Sequence, residues 1–245
     1  MGLCKTCGRC ELSYSKGGKV VFVGSASNLL TEFLTLLSKN NETEVISSIS
    51  FLSSLSLRFK PDLIVFCSVA LADIVELKKM EAFLHVNVLV VSKDFSVLNN
   101  LSGIADYSNV LICNECVCTN EAFINRLDKI IQKKEKILPS RTGSFVKYTI
   151  HFLNKNFSNP LNLQKISEHS GKNEDYLSRI FKREMNLTVW NYFLILRMNL
   201  AKKLLTETDI PISQVAEKCG YSSLSYFDKA VLAFYRKTPG QIRAE

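Results

Sequence analysis

The sequence predicts two domains of different fold class: an α/β N-terminal domain with a flavodoxin-like, five-stranded parallel sheet, and an all-α C-terminal domain with two helix-turn-helix units. Short apolar runs alternate with helical stretches over the first half of the 245-residue chain, as in a parallel sheet covered by helices. Beyond Leu138 and Pro139 only helical patterns follow. Because proline disfavours helix at the residue before it, we place the domain boundary there.

Five apolar runs, rich in β-branched residues and bounded by turn-forming residues, predict the strands. They lie at residues 20–23, 44–49, 63–66, 86–91 and 110–112. Apolar residues at helical spacing predict helices at residues 29–38, 74–83 and 121–136. The apolar face of the last helix either covers the sheet, which we favour, or packs against a second copy of the chain. Five strands linked in this way fit the flavodoxin-like order, in which chemistry gathers at the carboxyl ends of the strands.

The ends of the domains follow from these patterns. Residues 1–18 form a cysteine-rich N-terminal tail, residues 19–138 the α/β domain and residues 139–245 the helical domain. The tail lacks the apolar core of a signal peptide, and the sequence has no run of eighteen apolar residues. We therefore expect a cytoplasmic protein with no membrane partner.

The helical domain consists of two successive pairs of short helices, joined by a longer helix at residues 188–205. The first pair covers residues 161–169 and 173–185, with Asn173 as a favourable N-cap, and the second covers residues 212–219 and 222–235. Apolar spacing predicts the buried residues Tyr176, Leu177, Ile180, Phe181, Ile212, Val215, Ala216, Cys219, Leu224, Phe227, Val231 and Phe234. Cys219 is therefore expected in the core.

Polar and basic residues remain on the outer face of the second helix in each pair. They are Asp175, Ser178, Arg179 and Lys182 in the first pair, and Ser225, Tyr226, Asp228 and Lys229 in the second. The helical domain also holds most of the net charge of +8, because residues 141–245 carry 16 basic and 9 acidic side chains, against 15 and 14 in residues 1–140. A short helix, a glycine turn and a helix with a basic outer face fit a DNA major groove. Arg179 and Lys182 supply donors for guanine edges or phosphate oxygens.

Three segments of the helical domain carry a resemblance to a known family. They are residues 176–184 (YLSRIFKRE), then Arg197, Ala201, Leu204 and Leu205, and then Ile212, Val215, Ala216, Cys219-Gly220-Tyr221, Ser225-Tyr226-Phe227, Thr238-Pro239 and Arg243. In these residues the stretch 144–243 resembles the DNA-binding domain of the AraC (AraC/XylS) family, with its first recognition helix, its linker helix and its signature segment in turn.

The resemblance implies a sequence-specific transcription regulator, not an enzyme, that binds double-stranded promoter DNA. Two recognition helices would enter successive major grooves, about one helical turn of DNA apart. The positions that would read bases are Asp175, Ser178 and Arg179 in the first helix, and Ser225, Tyr226 and Lys229 in the second. A homodimer is a further expectation, as is RNA polymerase as a partner if the protein activates transcription.

The second recognition helix departs from the family pattern. Leu232 and Ala233 stand where the family has two phosphate-facing lysines, and Arg236 replaces a usual glycine. Asn186 replaces the glycine after the first recognition helix, which is a milder change because asparagine tolerates a left-handed backbone. We therefore expect the first helix pair to dominate DNA affinity.

The α/β domain resembles a response-regulator receiver that lacks its phosphorylation chemistry. The stretch 61–66 (PDLIVF) looks like the third strand of that family, but Cys67 takes the place of the phosphoacceptor aspartate. Gly24-Ser25 replaces the acidic pair that holds Mg²⁺, and Cys113-Asn114 lies where a lysine is expected, whereas Ser92 matches the hydroxyl position. Without these carboxylates no Mg²⁺ is expected, and the resemblance implies a phosphorylation-independent sensor.

Seven of the eight cysteines lie in the first 140 residues, and six of these form two clusters with ligand-like spacing. The clusters are Cys4, Cys7 and Cys10, and Cys113, Cys116 and Cys118. We expect them to bind either zinc or an iron–sulfur cluster, because the first cluster resembles the cysteine run of bacterial ferredoxins and two Cys-x-x-Cys pairs also suit zinc. Cys67 is a redox or ligand candidate on the same sheet edge as Cys113. Free redox-active thiols and incidental cysteines remain the alternatives.

Three functions compete. The leading interpretation is a DNA-binding regulator whose N-terminal domain senses a signal through its cysteines. The second is a DNA-binding regulator whose N-terminal domain only dimerises and is held by structural zinc. The third, a thiol redox enzyme centred on Cys67 or the tail cysteines, leaves the helical domain without a role.

Overall fold

A five-stranded parallel sheet forms the N-terminal region. The structure is a computed structural model, and it describes residues 17–24, 28–52, 60–67, 85–92, 109–133, 135–137, 140–161 and 163–245. The strands are β1 (Lys19–Val23), β2 (Glu42–Ile46), β3 (Leu63–Cys67), β4 (Asn87–Ser92) and β5 (Val110–Asn114). Every neighbouring pair is parallel, and the order is β2-β1-β3-β4-β5. The predicted parallel sheet is confirmed.

Helices cover the sheet where the structure describes them. Helix α1 (Asn28–Ser38) packs Phe33 edge-to-face on Phe22 of β1, with ring centroids 5.7 Å apart. Helix α2 (Glu121–Ile131) buries the apolar residues that the sequence assigned to its inner face. This face therefore packs on the sheet, which was the favoured of the two alternatives. The predicted helix at residues 74–83 lies outside the described residues, and the complete flavodoxin-like fold therefore remains a prediction.

Two predicted boundaries were wrong. The second strand begins at Glu42 and ends at Ile46, because a 3₁₀ turn (Ile49–Phe51) follows, with the Ser48 side chain capping its first turn. The helix predicted to reach residue 136 ends at Ile131, and Lys133 takes a left-handed φ of 59°. Arg126 donates to the carbonyl oxygen of Lys136 at 2.8 Å, which holds the chain folded back beside the helix.

The C-terminal region is helical throughout. Its helices are α3 (Ser140–Asn156), α4 (Leu163–Ser170), α5 (Glu174–Met185), α6 (Val189–Glu207), α7 (Ile212–Lys218), α8 (Leu224–Tyr235) and α9 (Pro239–Arg243). The two predicted pairs are therefore α4 with α5 and α7 with α8, joined by α6. In the described part of the chain, no helix combines the length and apolar character that a membrane crossing requires.

The apolar core has two parts, and their division does not follow the predicted domain boundary. One cluster runs from the sheet through α3 to α5 and the first turns of α6. The other lies between the second half of α6 and the pair α7 and α8. Burial of apolar area is the main stabilising term in folding. The first helix pair is therefore packed as one body with the sheet, whereas the second pair has a core of its own.

The predicted buried face of α8 needs one correction. Phe227 and Val231 are fully buried, but Leu224 is 44% and Phe234 is 40% exposed. Leu224 is the first residue of the helix, where the chain has not yet reached the core. Near the other end, Tyr235 turns inward in place of Phe234, and its hydroxyl donates to the carbonyl oxygen of Met198 at 3.0 Å.

Candidate nucleic-acid interface

Helix α5 is well defined at both ends. The side chain of Asn173 accepts a hydrogen bond from the amide of Tyr176 at 2.8 Å, as the predicted N-cap requires. At the other end Asn186 takes the left-handed conformation, with φ of 55°. Its side-chain amide donates to the carbonyl oxygen of Ala122 on α2 at 2.7 Å. The C-cap of the first candidate recognition helix is thus fixed to the sheet region.

The outer face of α5 presents cations. Asp175, Arg179 and Lys182 are exposed and Ser178 is half-buried, so the predicted base-reading residues of this helix share an accessible face. The Arg179 guanidinium lies 5.7 Å from the centroid of the Tyr176 ring, a cation–π distance that restricts its freedom. Acidic residues occupy the first turn and basic residues the last, the distribution that the helix dipole favours. A helix with fixed, exposed donors suits contact with base edges or phosphates.

The corresponding face of α8 is less basic. Ser225, Tyr226 and Lys229 are exposed as predicted, with 71% of Tyr226 accessible. Leu232 and Ala233 are also exposed on this helix, so the two expected lysines are absent from an accessible surface. Arg236 takes φ of 58° at the C-cap, the conformation that would favour the glycine it replaces. Lys229 is the one cation among the residues of α8.

Arg197 on α6 connects the end of α3 to the second helix pair, a contact that its apolar neighbours in the sequence do not reveal. Its Nε donates to the carbonyl oxygen of Phe157 and its Nη2 to that of Asn159, both at 2.8 Å. The guanidinium also stacks over the ring of Tyr221, 5.0 Å from the centroid. It therefore ties the end of α3 to the turn between α7 and α8. Burial lowers the pKa of Arg197 from its ordinary value.

The positions that the sequence matched to a receiver lie at the carboxyl edge of the sheet, where the structure describes them. Gly24 follows β1, Cys67 ends β3, Ser92 ends β4, and Cys113 and Asn114 end β5. The register pairs Cys67 with Val91 and Val91 with Cys113, so the two cysteines occupy the same level two strands apart. The predicted common edge is confirmed, and Ser25 lies outside the described residues.

The cysteines of this edge are buried thiols. Cys67, Cys113, Cys116 and Cys118 are free, and the sulfurs of Cys113 and Cys118 are 3.4 Å apart. Burial raises the pKa of the Cys67 thiol to about 12 and raises the pKa values of Cys116 and Cys118 well above their ordinary range. Because the thiolate is the nucleophile and the metal ligand, burial opposes both roles at neutral pH for as long as the thiols stay shielded from solvent.

The expected metal site gains no support from these thiols. Among the residues that the structure describes, no group of three or more histidine, cysteine or acidic side chains is arranged to hold a metal ion. Cys4, Cys7 and Cys10 lie outside the described residues. The predicted partnership of the two cysteine clusters therefore stays a prediction.

Two hydrogen-bonded contacts join the sheet to the helical region. At the end of β5, the amide of Asn114 donates to the hydroxyl of Tyr192 on α6 at 3.0 Å, and the Asn114 side chain donates to Asn154 of α3 at 2.6 Å. At α2, the Nε of Arg126 donates to the carbonyl oxygen of Glu184 at 3.1 Å. Sequence patterns missed these contacts, because the partners lie far apart along the chain.

Comparison with protein families identifies the helical region. A family described as a helix-turn-helix domain matches residues 166–245. The chain is also similar to the HTH-type transcriptional regulator ArgR of Pseudomonas aeruginosa, with 29% identity over 128 residues, which cover 51% of this chain and 39% of that protein. The HTH-type transcriptional regulator CdhR of the same organism is 34% identical over 85 residues, covering 35% of this chain and 25% of that protein. The matched stretches are thus a minor part of these relatives.

Among solved structures, the C-terminal domain of AraT, a response regulator from Geobacillus stearothermophilus, is 31% identical. The match covers 41% of this chain and 84% of that one, with a TM-score of 0.40. The predicted resemblance is confirmed for the C-terminal region, which is an AraC-type helix-turn-helix domain with AraC/XylS-type regulators as homologues.

Proposed function

We propose that the protein is a sequence-specific, DNA-binding transcription regulator in which a receiver-like N-terminal domain controls an AraC-type DNA-binding domain. The outer face of α5 carries this proposal. It exposes Arg179 and Lys182 on a helix that is capped at both ends, within the segment that matches a helix-turn-helix family. Promoter DNA is the proposed partner, and the cytoplasm the proposed location.

In this mechanism α5 enters one major groove and α8 the next. Arg179 donates to base edges, where a bidentate arginine–guanine contact discriminates between bases, and Lys182 neutralises a phosphate. Helix α8 contributes contacts from Ser225, Tyr226 and Lys229 but less charge. The first helix pair therefore supplies most of the affinity, and the second refines the choice of site.

The N-terminal domain acts as a sensor without phosphoryl transfer. Cys67 stands at the end of β3, where a receiver would need its acceptor carboxylate, and a thiol cannot form an acyl phosphate. The carboxyl edge of the sheet contacts α6 and α3 through Asn114. A change at this edge therefore reaches the helix that joins the two helix pairs. The proposal also includes a homodimer and, if the protein activates transcription, contact with RNA polymerase.

A cysteine-bound zinc ion or iron–sulfur cluster remains a hypothesis from the sequence, as does the variant in which structural zinc only supports dimerisation. Both depend on Cys4, Cys7 and Cys10. Elemental analysis and a visible spectrum of anaerobically purified protein test them. Iron with sulfide supports a cluster, about one zinc supports a zinc site, and metal-free protein contradicts both.

Salt dependence of duplex DNA binding tests the proposed function. The affinity of the full chain should fall steeply between 50 and 200 mM salt, because bound phosphates release counterions (roughly 10³-fold or more for six contacts). The double change Arg179→Gln and Lys182→Gln should reduce the slope of log affinity against log salt by about 1 to 2. Lys39→Gln, an exposed cation beyond α1, is the matched control and should leave the slope unchanged. Equal effects of the two sets of variants would contradict the assigned surface.

A further inference from the structure

Two buried thiols face each other at the point where the sheet meets the helical region. Cys113 is the next-to-last residue of β5, and Cys118 follows the 3₁₀ turn (Glu115–Val117) that reverses the chain. Their sulfur atoms are 3.4 Å apart and both residues are fully buried. A disulfide bond has a length of about 2.05 Å. The two sulfurs thus need to move only a short distance closer to form a bond, and the strand order need not change.

The turn between these thiols carries the contact with the helical region. Asn114 lies inside the five-residue step from Cys113 to Cys118, and its amide donates to the hydroxyl of Tyr192. The Cys118 thiol donates to the carbonyl oxygen of the same asparagine, at 3.8 Å. Tyr192 also accepts from Asn154 at 3.2 Å. An approach of the two sulfurs that displaces this turn would therefore move the backbone that holds α6 and α3 in place.

A route from solvent ends beside this pair. A cleft of about 600 Å³ lies between the turn and α6, lined in part by Asn114, Cys116, Asn199 and Lys203. Cys116 is 9% exposed, whereas Cys113 and Cys118 are closed off behind it. A small reagent can thus reach the turn, and local opening of the turn is needed before it meets either sulfur of the pair.

We infer that Cys113 and Cys118 form a reversible dithiol–disulfide pair, oxidised by a low-molecular-weight disulfide such as oxidised glutathione, and that closing the bond releases the Asn114 contact with Tyr192. Thiol pairs of this kind in a reducing compartment are usually transient and redox-sensing. The third thiol of the turn, Cys116, points into the cleft and takes no part in the bond.

The chemistry is two successive thiol–disulfide exchanges. When local opening of the turn admits solvent and the reagent, one thiol of the pair loses its proton to solvent, attacks a sulfur of the reagent and releases one glutathione thiolate, which leaves a mixed disulfide. The second thiol then loses its proton and attacks the protein sulfur of that mixed disulfide. The second glutathione thiolate leaves, and the two thiolates take up the two protons. In sum, two protein thiols are oxidised to one disulfide while one molecule of reagent is reduced to two thiols.

Mass mapping of the full chain tests the pairing. The protein is incubated with oxidised glutathione, quenched in acid, denatured, alkylated and digested with trypsin. The tryptic peptide 94–126 holds three cysteines, Cys113, Cys116 and Cys118, and should take up one alkyl group instead of three. Cleavage after Glu115 should then leave two peptides joined by a disulfide, with the alkyl group on Cys116. Three alkyl groups, or a bond that includes Cys116, would overturn the inference.

Four single cysteine-to-alanine variants test the same pairing. Cys116→Ala and Cys219→Ala should still form the bond, whereas Cys113→Ala and Cys118→Ala should stop at a glutathione adduct on the remaining partner. The wild-type connectivity decides the pairing by itself if either of the last two variants fails to fold.

Hydrogen exchange tests the coupling without DNA. The amide of Asn114 should exchange at least about tenfold faster in the oxidised protein, because its partner Tyr192 is lost. An unchanged rate with the disulfide formed would overturn the coupling.

The effect on DNA rests on the proposed function. We expect the oxidised protein to bind duplex DNA several-fold more weakly than the reduced protein, and we expect reduction to restore the affinity. Equal affinity of the two forms would overturn the link to DNA, whereas absence of DNA binding in both forms would refute the proposed function and leave the mass and exchange results decisive for the thiol pair.

Discussion

The backbone amide of Asn114 donates a 3.0 Å hydrogen bond to the hydroxyl of Tyr192, which lies 78 residues further along the chain. Asn114 ends the last strand of the sheet, and Tyr192 is a fully buried residue in the first turn of α6. This bond, with the one from Asn154 to the same hydroxyl, joins the sheet to the helix that links the two helix pairs. The position of α6 is thus set partly by its contact with the carboxyl edge of the sheet.

Removing this hydroxyl should destabilise the protein. Tyr192→Phe leaves the partly buried Asn114 amide without this acceptor, at a cost of about 1–3 kcal/mol in the free energy of unfolding. Urea denaturation followed by circular dichroism measures the change. Tyr226→Phe makes the same chemical change on an exposed ring and should alter stability by less than about 0.5 kcal/mol. If both variants match the wild type, the Asn114 contact does not contribute to stability.

The buried Arg126 should matter far more than its exposed neighbour Lys129. Arg126 donates to Glu184, Glu135 and Lys136 from a side chain that is 4% exposed. Arg126→Met should cost about 2–4 kcal/mol, because the buried carbonyl oxygen of Glu184 and two partly exposed acceptors lose a charged donor. Lys129 also contacts Glu135, at 3.3 Å, but is half exposed, so Lys129→Met should cost less than about 0.5 kcal/mol. Equal losses in thermal unfolding would refute this ranking.

Two glycines with positive φ should respond differently to a methyl group. A Cβ at Gly171 (φ 64°) meets nothing within 4 Å, whereas one at Gly220 (φ 81°) would collide with the carbonyl oxygen of Ser158 and the guanidinium of Arg197. Gly171→Ala should cost about 1 kcal/mol for the left-handed backbone alone. Gly220→Ala should cost at least about 2 kcal/mol more, because the backbone of Ser158 must also move. Chemical denaturation of the two variants side by side gives the difference, and similar values would show that the α7–α8 turn is loosely packed.

DNA affinity should depend more on α5 than on α8. Arg179→Ala should weaken binding to a selected site by about 1–3 kcal/mol, roughly 5- to 150-fold, through loss of a base contact. Lys229→Ala should weaken it less, because α8, with Lys229 as its one cation, offers fewer charged contacts to DNA than α5. Fluorescence anisotropy titrations at one salt concentration measure both, with Lys39→Ala as the control for loss of one charge. A larger loss from Lys229→Ala would contradict the dominance of the first helix pair.

Local patterns predicted those features that depend on neighbours along the chain. The strand β3 is a continuous apolar run, buried at every residue, and the Asn173 cap needs only the helix it begins. Cys219 is buried as its position on an apolar helical face indicates. The local sequence predicts the environment of these residues, because periodicity and capping depend on positions only a few residues away.

Such local patterns do not predict contacts between residues that are far apart along the chain. Nothing near Arg126 marks it as buried, since its acceptor on Glu184 lies 58 residues away. The exposure of Phe234 depends on Tyr235 reaching α6 instead, and the early end of α2 depends on the hydrogen bond from Arg126 to Lys136. The single core shared by the sheet and the first helix pair is likewise a property of packing, which a domain boundary drawn at a proline does not show.

Selection of binding sites from a pool of random DNA duplexes tests the central claim most directly. The full chain is used to enrich duplexes over several rounds, and the enriched sequence is titrated with wild-type protein and with the Arg179→Ala variant. We expect one motif with two half-sites whose centres are about 10 base pairs apart, bound many-fold more weakly by the variant. A pool that remains random, or a motif that both proteins bind equally, would contradict recognition of DNA by α5.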